Sequence, residues 1–463
     1  MGRKFNQLTV VSWLIAISTL VLFACSSLRH ILFESTAFDL GIFDQAVYLI
    51  SRGEPPISSF LNFHILGDHA TWIWYPLALL YKIYESVYWL FFLQALALAL
   101  GALPTWLLGR EAGLPSNQAF AILFVYLLYP VVFNVNLFDF HPEVMALPAL
   151  LAAVWFARQA KIAWFSISII FIIGCKAVLS LTIAGMGVWL IFFEKRRLCG
   201  AIALGTGIAW FLISSQVIIP YFRGQELSYI GRYSYLGNSI LEIAQNLILK
   251  PGIVLEKIFS VENLFYLILL LLPVIWGLSF AGITPLVGAI PCVALNLLAD
   301  YQPQKDLVNQ YSLPALPFLL LTVIATLAAG KGWLKKPRKI ILWSFIVFLA
   351  LAKYGYFWSI YLDTLDTWKA TREAVSQVQT EGGVLTTATI APHLAHRKLI
   401  ELTNADLPLT DVTKYDYILL NLRHPGWLSN LDFVTGLISQ LKDNQKFNLQ
   451  YQRDDVFLFI KRF

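Results

Sequence analysis

Charged side chains are scarce in this chain. Aspartate, glutamate, lysine and arginine make up 13% of its 463 residues, while 58% are hydrophobic and 15% aromatic. An ordinary soluble domain carries about twice that charged share, so the shortage excludes a water-soluble globular protein and points to a polytopic membrane protein. Cysteine is sparser still. Cys25, Cys175, Cys199 and Cys292 lie in or beside apolar stretches, and none has CxxC or Cys/His spacing. A disulfide framework and a zinc site are thereby excluded, and the four read as small apolar packing groups. Acidic residues are outnumbered 28 to 34 by lysine and arginine, for a net charge of +6. The places where carboxylates do occur therefore carry information.

Long apolar runs are what the sequence has in abundance. A span needs about 20 residues, and reading for such runs gives about eleven helices, near 8–28, 87–108, 117–134, 143–158, 161–175, 177–193, 200–220, 262–280, 282–299, 312–330 and 339–361. The pair flanking Lys176 is short. With Arg3 and Lys4 inside, alternate connections hold Arg110, Arg158, Lys161, Lys195, Arg196, Arg197, Lys331, Lys335, Lys336, Arg338 and Lys339, as the positive-inside rule requires. The N-terminus is expected in the cytoplasm and the C-terminus outside, with outer loops near 29–86, 135–142, 221–261 and 300–311. Leu22-Phe23-Ala24-Cys25 resembles a lipoprotein cleavage box, but Phe23 fits it poorly and the run reads as the first span.

The outer loops gather unusual polar motifs. TAFDLGIFDQ, residues 36–45, sets Asp39 and Asp44 just after the first span. Phe43, Ala46, Val47 and Ile50 recur at helical spacing, which predicts a short amphipathic surface helix, with Gly41 bending the chain between the aspartates. As caps, Asp39 would close that helix and Asp44 would complement its dipole. As chemistry, they are carboxylates at a membrane surface. NFHILGDHATWIWYP, residues 62–76, brings Asp68 and His69 ahead of an apolar segment too short to span. FDFHPE, residues 138–143, adds Asp139, His141 and Glu143 at the edge of hydrocarbon, where an unpaired carboxylate is costly. Packed helices would bring these outer loops together. The cluster suits general-base catalysis, a proton pathway or a divalent cation, whose ligands would come from Asp44, Asp68, Asp139 and Glu143.

Beyond Tyr361 the chain turns more polar. Residues 362–463 predict a small α/β domain on the outer face, with helices near 366–379 and 429–442 and strands at VLTTAT, LIEL, YDYILLNL and VFLFIKRF. The domain lacks GxGxxG and GxxxxGK[ST], which leaves nucleotide binding without support, and no nucleic-acid partner is expected. His393 and Arg397, in APHLAHR, are candidates for holding an acceptor or a polar loop at a helix start.

FDLGIFDQ, GDH, LYP, FDFHPE, GRYSYLGNSILEI at 231–243, PLVGAIP at 285–291 and PHLAHR at 392–397 follow one another along most of the chain. In this order they resemble a bacterial family of multi-spanning proteins catalogued as domain of unknown function 2079 and grouped with the GT-C glycosyltransferases. The resemblance implies a GT-C-like all-α membrane domain over residues 1–361 and a sugar donor carried on polyprenyl phosphate. It implies an acidic catalytic base in the first outer loop, by position Asp39 first and Asp44 second. The leaving phosphate needs positive charge, for which Lys176, Arg223, Arg232, Lys250 and Lys257 are the outer candidates. Two places depart from the family pattern. Ala177 and Val178 follow Lys176 where members commonly carry an acidic pair, and Asn309-Gln310-Tyr311 lacks a histidine before the tyrosine. The expected function is sugar transfer to a glycan, lipid or protein acceptor on the outer face of a bacterial inner membrane. The alternatives are a proton- or cation-coupled transporter or lipid flippase, and a catalytically inactive relative.

Overall fold

The computed structural model describes residues 2–224, 228–407 and 411–462. The side chains of Arg3 and Lys4, used above to orient the first span, lie outside the described part. The chain folds as two compact units. Unit 1 holds the residues up to Phe23, Leu66–Ile73 and Phe92–Lys353, and unit 2 holds Ala24–Ile65, Trp74–Phe91 and Tyr354–Phe463.

Each of the eleven predicted segments contains a helix, but most are too short to span by themselves. Among the described residues five helices are long and apolar enough to cross a membrane: Gln7–Ile31, Tyr88–Glu111, Ser116–Asn136, Arg197–Arg223 and Gln310–Ala328. A sixth is formed if Pro337–Leu351 and Lys353–Leu362, bent by 44°, count as one. The other predicted segments hold shorter helices, among them Ile162–Cys175, Leu179–Phe192, Val261–Leu271 and Leu286–Leu298. Hydropathy counts apolar residues without locating helix ends: the predicted 262–280 segment is helical over Val261–Leu271 and then passes through turns. Two others are halves of a helix broken at Lys176, Ile162–Cys175 and Leu179–Phe192.

Unit 1 packs through small residues as well as large ones. The helices Leu179–Phe192 and Arg197–Ile213 approach so closely that a Cβ on Gly207 would stand 2.5 Å from the Ser180 carbonyl oxygen. In lipid there is no hydrophobic drive between helices, so close backbone approach and dispersion supply the association.

Unit 2 is built on a five-stranded sheet. After a short antiparallel pair, β1 (Ile57–Ser58) with β2 (Phe63–His64), come β3 (Val384–Thr386), β4 (Ile400–Leu402), β5 (Tyr417–Asn421), β6 (Phe447–Arg453) and β7 (Val456–Lys461), in the order β4-β3-β5-β7-β6. β3 runs parallel to β4 and β5, and β7 antiparallel to β5 and β6. Side chains alternate between faces, and both faces are covered, so the central strands are apolar throughout. Val384, Leu419 and Leu458 meet Ala370 and Ala374 of the helix Leu365–Ser376, while Leu385, Ile418 and Phe459 meet Val434, Leu437 and Leu441 of Leu431–Asp443. Phe33 and Ala37, from the first outer segment, belong to the first of these clusters. The four predicted strands form, and β6, unpredicted, is added as an edge with a mostly exposed FNLQYQR pattern.

Gly207 and Gly205 lie on one helix in different surroundings, since nothing lies within 4 Å of a Cβ on Gly205. Gly207→Val is expected to lose about 1–3 kcal/mol to overpacking. Thermal scanning in detergent should show a lower midpoint for Gly207→Val and none of that loss for Gly205→Val.

Candidate functional site

In unit 2 the two aspartates of the opening motif have different fates. The bend falls on Asp39 itself, at φ 88° and ψ −91°, while Gly41, expected to make it, is helical at φ −60° and ψ −42°. Gly41 serves a steric purpose, because a Cβ there would lie 3.3 Å from the Phe60 ring. An L-residue at such a φ stores of order 1–3 kcal/mol of strain, a cost that recurs at functional sites. The segment is held from outside the bend, where the Ala37 N–H donates to the Ala388 carbonyl at 3.0 Å. Asp39 is half-buried.

Asp44 sits in the first turn of the helix Ile42–Ser51, is 1% exposed, and is fully engaged. The Tyr81 hydroxyl donates to its Oδ1 at 2.6 Å, and His396 Nε2 lies 3.1 Å from the same oxygen. The His396 ring stacks on Tyr48 at 4.8 Å. Burial pushes the His396 pKa down, but the Asp44 charge and hydrogen bond outweigh it and leave the imidazole above its usual value. Arg397 donates to the Leu394 and Gly382 carbonyls, at 2.6 Å each, and burial lowers its pKa to about 10. His393 is buried against His30, with ring centroids 4.0 Å apart, and burial lowers its pKa to about 3. Both thus sit in packed positions.

Unit 1 assembles a second cluster. The GDH turn, Leu66–His69, abuts the end of the helix Ile219–Arg223, so closely that a Cβ on Gly67 would stand 2.9 Å from the Arg223 nitrogen. The following residues close the broken helix at Lys176. The Ile73 N–H donates to the Gly174 carbonyl at 3.1 Å, the Thr71 hydroxyl to the Cys175 carbonyl at 3.1 Å, and the Ala177 N–H to the His69 carbonyl at 3.0 Å. Tyr229 joins the pair: its hydroxyl donates to Asp68 Oδ1 at 2.7 Å and lies 2.9 Å from His69 Nε2. Burial, then the cations Lys176, Arg232 and Arg223, hold the His69 pKa well below the usual range. Asp68 Oδ2 lies 3.4 Å from the same His69 nitrogen.

Lys176 is buried and ion-paired with Glu143. Arg232 is held differently. Its guanidinium lies over Tyr301 at 4.1 Å, Tyr229 at 5.0 Å and Tyr311 at 5.3 Å, and donates to Gln304 Oε1 at 2.8 Å and the Tyr311 hydroxyl at 3.4 Å. Among the described residues no carboxylate pairs with it. Asp139 and His141 occupy the short FDFHPE loop, where Asp139 has φ 56°. Gln94 fixes that loop, accepting from the His141 N–H at 3.0 Å and donating to the Asp139 carbonyl at 2.7 Å.

Of the residues singled out in the sequence, Asp68, His69, Glu143, Lys176 and Arg232 share unit 1's cluster with His141. Asp39, Asp44, His393 and Arg397 belong to unit 2. Tyr81, Tyr229, Tyr301, Tyr311 and Gln304 were not among the predicted site residues. Their only signal was tyrosine beside arginine in SYIGRY and the outer position of QYSL. Among the described residues no three His, Cys, Asp or Glu side chains are grouped to hold a metal ion, so the conditional ligand set of Asp44, Asp68, Asp139 and Glu143 does not form one.

The fold has solved relatives. The crystal structure of ArnT from Cupriavidus metallidurans in the apo state matches with a TM-score of 0.59 at 11% identity, covering 98% of each chain. The structure of ArnT bound to undecaprenyl phosphate matches with a TM-score of 0.55 at 11% identity, covering 97% of this chain and 98% of ArnT. No match is found among curated proteins. The model of one family, described as predicted membrane protein (DUF2079), matches residues 29–458, and the chain belongs to that family.

Proposed function

We propose that the protein is a membrane glycosyltransferase that moves a sugar from a polyprenyl-phosphate donor to an acceptor. The observation that carries this reading is Arg232, a guanidinium surrounded by three tyrosine rings with no carboxylate partner among the described residues. Neutral aromatic faces stabilise its charge without cancelling it, so the cation remains available to a phosphate. The fold shared with ArnT, one crystal form of which holds undecaprenyl phosphate, supports a lipid-phosphate ligand.

In this reading Asp39 is the base. The acceptor hydroxyl gives its proton to Asp39 while its oxygen attacks the anomeric carbon; the bond from that carbon to the phosphate oxygen breaks, and its electron pair leaves with the phosphate. In unit 1, Arg232 and Lys176 are the cations a lipid phosphate would meet, at Lys176 in competition with Glu143. Asp44 positions the helix behind Asp39 through Tyr81 and His396. Residues 1–361 act as the membrane domain and 362–463 as a domain on the outer face of a bacterial inner membrane, with the N-terminus in the cytoplasm. A transporter or flippase reading rests on the buried Lys176–Glu143 pair, and ion-dependent flux in vesicles without sugar transfer would favour it.

Asp39→Asn, folded and membrane-inserted, is expected to lower sugar transfer from lipid-linked donor by about 10²–10⁴-fold. Full activity in that variant abandons Asp39 as base. Arg232→Ala should weaken donor use by roughly 10–100-fold, the worth of a hydrogen bond to a charged group, with Arg232→Lys recovering part of it in a radiolabelled-donor assay. Asp44 and His396 make a stability prediction. His396 is raised above its unfolded value, so the folded state binds the extra proton. The pair's contribution is full below about pH 6.5 and is lost as pH rises through the folded pKa. The wild-type melting midpoint should fall between about pH 6 and pH 8 more steeply than that of His396→Gln, and parallel curves would exclude the linkage.

A further inference from the structure

The carboxyl edge of the unit 2 sheet has features that the chemistry above does not use. From β3 the chain goes to β4 on one side and then crosses back to β5 on the other, so the loops leaving β3 and β5 part company. In open sheets of parallel strands that divergence leaves a crevice beyond the strand ends, the usual place for a ligand. Three hydroxyls sit at this edge, Thr387 after β3, Thr403 after β4 and Ser429 in the loop after β5. All three oxygens are buried and have no hydrogen-bond partner among the described residues. A buried hydroxyl left unpaired costs of order 1–3 kcal/mol, so three at one edge of one sheet look for a partner supplied from outside.

The surroundings define that partner. The arginine there is already covered: Arg423 is held by Asp455 at 2.7 Å and Asp366 at 3.3 Å, and His424 lies 2.8 Å from Asp366. The edge offers no open arginine to an anion. The same loop carries Trp427, 63% exposed, with the Phe38 ring edge-on at 5.5 Å. Gly426, at φ 86°, lets the loop lie against the end of β3, where a Cβ would stand 3.2 Å from the Ala388 nitrogen. Ala388 also accepts from the Ala37 N–H, two residues before the strained Asp39. An aromatic face beside unpaired hydroxyls, with no open arginine, matches a neutral saccharide.

We infer that the carboxyl edge of β3, β4 and β5 binds a neutral saccharide, one ring lying on Trp427 and its hydroxyls bonding Thr387, Thr403 and Ser429. Resting on the glycosyltransferase reading, this saccharide is the acceptor, presented beside Asp39. The test is saturation-transfer NMR on the full chain in detergent, with maltotriose and cellotriose as probes. Transfer to the sugar ring protons is expected in the wild type, with binding roughly tenfold weaker in Trp427→Ala. Thr387→Val should also bind more weakly while its thermal midpoint stays or rises, because an unpaired buried hydroxyl is removed. Absence of any saccharide signal in the wild type, or signals that both variants keep in full, overturns the inference. Arg232→Ala should keep the signal, so a chain that transfers sugar without binding these probes sinks the saccharide edge alone, whereas one that binds them without transferring sugar sinks only the enzyme reading.

Discussion

A buried backbone group left without a partner is costly, and that constraint shapes unit 1. The helix that ends at Cys175 leaves carbonyls at Gly174 and Cys175, and the next helix begins only at Leu179. In hydrocarbon each open group costs several kcal/mol, so irregular backbone persists only where protein supplies partners. Here one short stretch supplies them: Ile73, Thr71 and His69 close the break from both sides. The repair has a chemical consequence. By pairing with residues 174–177, the segment that follows GDH fixes His69 within reach of the Lys176 charge, which joins burial in lowering the imidazole pKa. The loop that carries Asp68 and His69 is thus also a structural clamp, and the cluster depends on it.

The aspartates of FDLGIFDQ show how one motif divides labour. Asp44 is buried, and a buried carboxylate is tolerable only when hydrogen-bonded or paired. Tyr81 and His396 meet that requirement at its Oδ1 and tie the helix that follows to both side chains. Asp39 carries the strain instead. Its neighbours Ala37 and Leu40 are buried, so the backbone between them is pinned at both ends and the aspartate is forced into the left-handed region. Glycine would relieve that strain, and its absence there is consistent with a need for the carboxylate.

Much of the architecture was legible in the sequence because apolar runs and alternation are local signals. The helices of unit 1 and four strands of the sheet appear where YDYILLNL and its counterparts placed them. What the sequence concealed was where helices stop. A run such as 262–280 is apolar throughout, yet its helical part ends at Leu271. The candidate residues were legible by type and only partly by role. Glu143 and Lys176 were both singled out, but their pairing across 33 residues depends on helix packing that no local pattern encodes. His393 and Arg397 stood out as polar, and proved to be buried among backbone and aromatic groups. The tyrosines around Arg232 were missed for the opposite reason: in a chain with 20 tyrosines, three that converge from two loops about 70 residues apart give no local signal.

Those tyrosines decide how the two cations of unit 1 differ. Lys176 has a carboxylate, so an arriving anion must compete with Glu143, and burying the lysine without that partner would be costly. Arg232 has rings and neutral acceptors, which lower the cost of half-burying a cation while leaving its charge unmatched. Tyr229 links the two arrangements. Its ring faces Arg232 while its hydroxyl holds Asp68. Asp68 is thus held by the tyrosine hydroxyl and lies 3.4 Å from His69 Nε2, so one residue orients an acid with its hydroxyl and faces a cation with its ring.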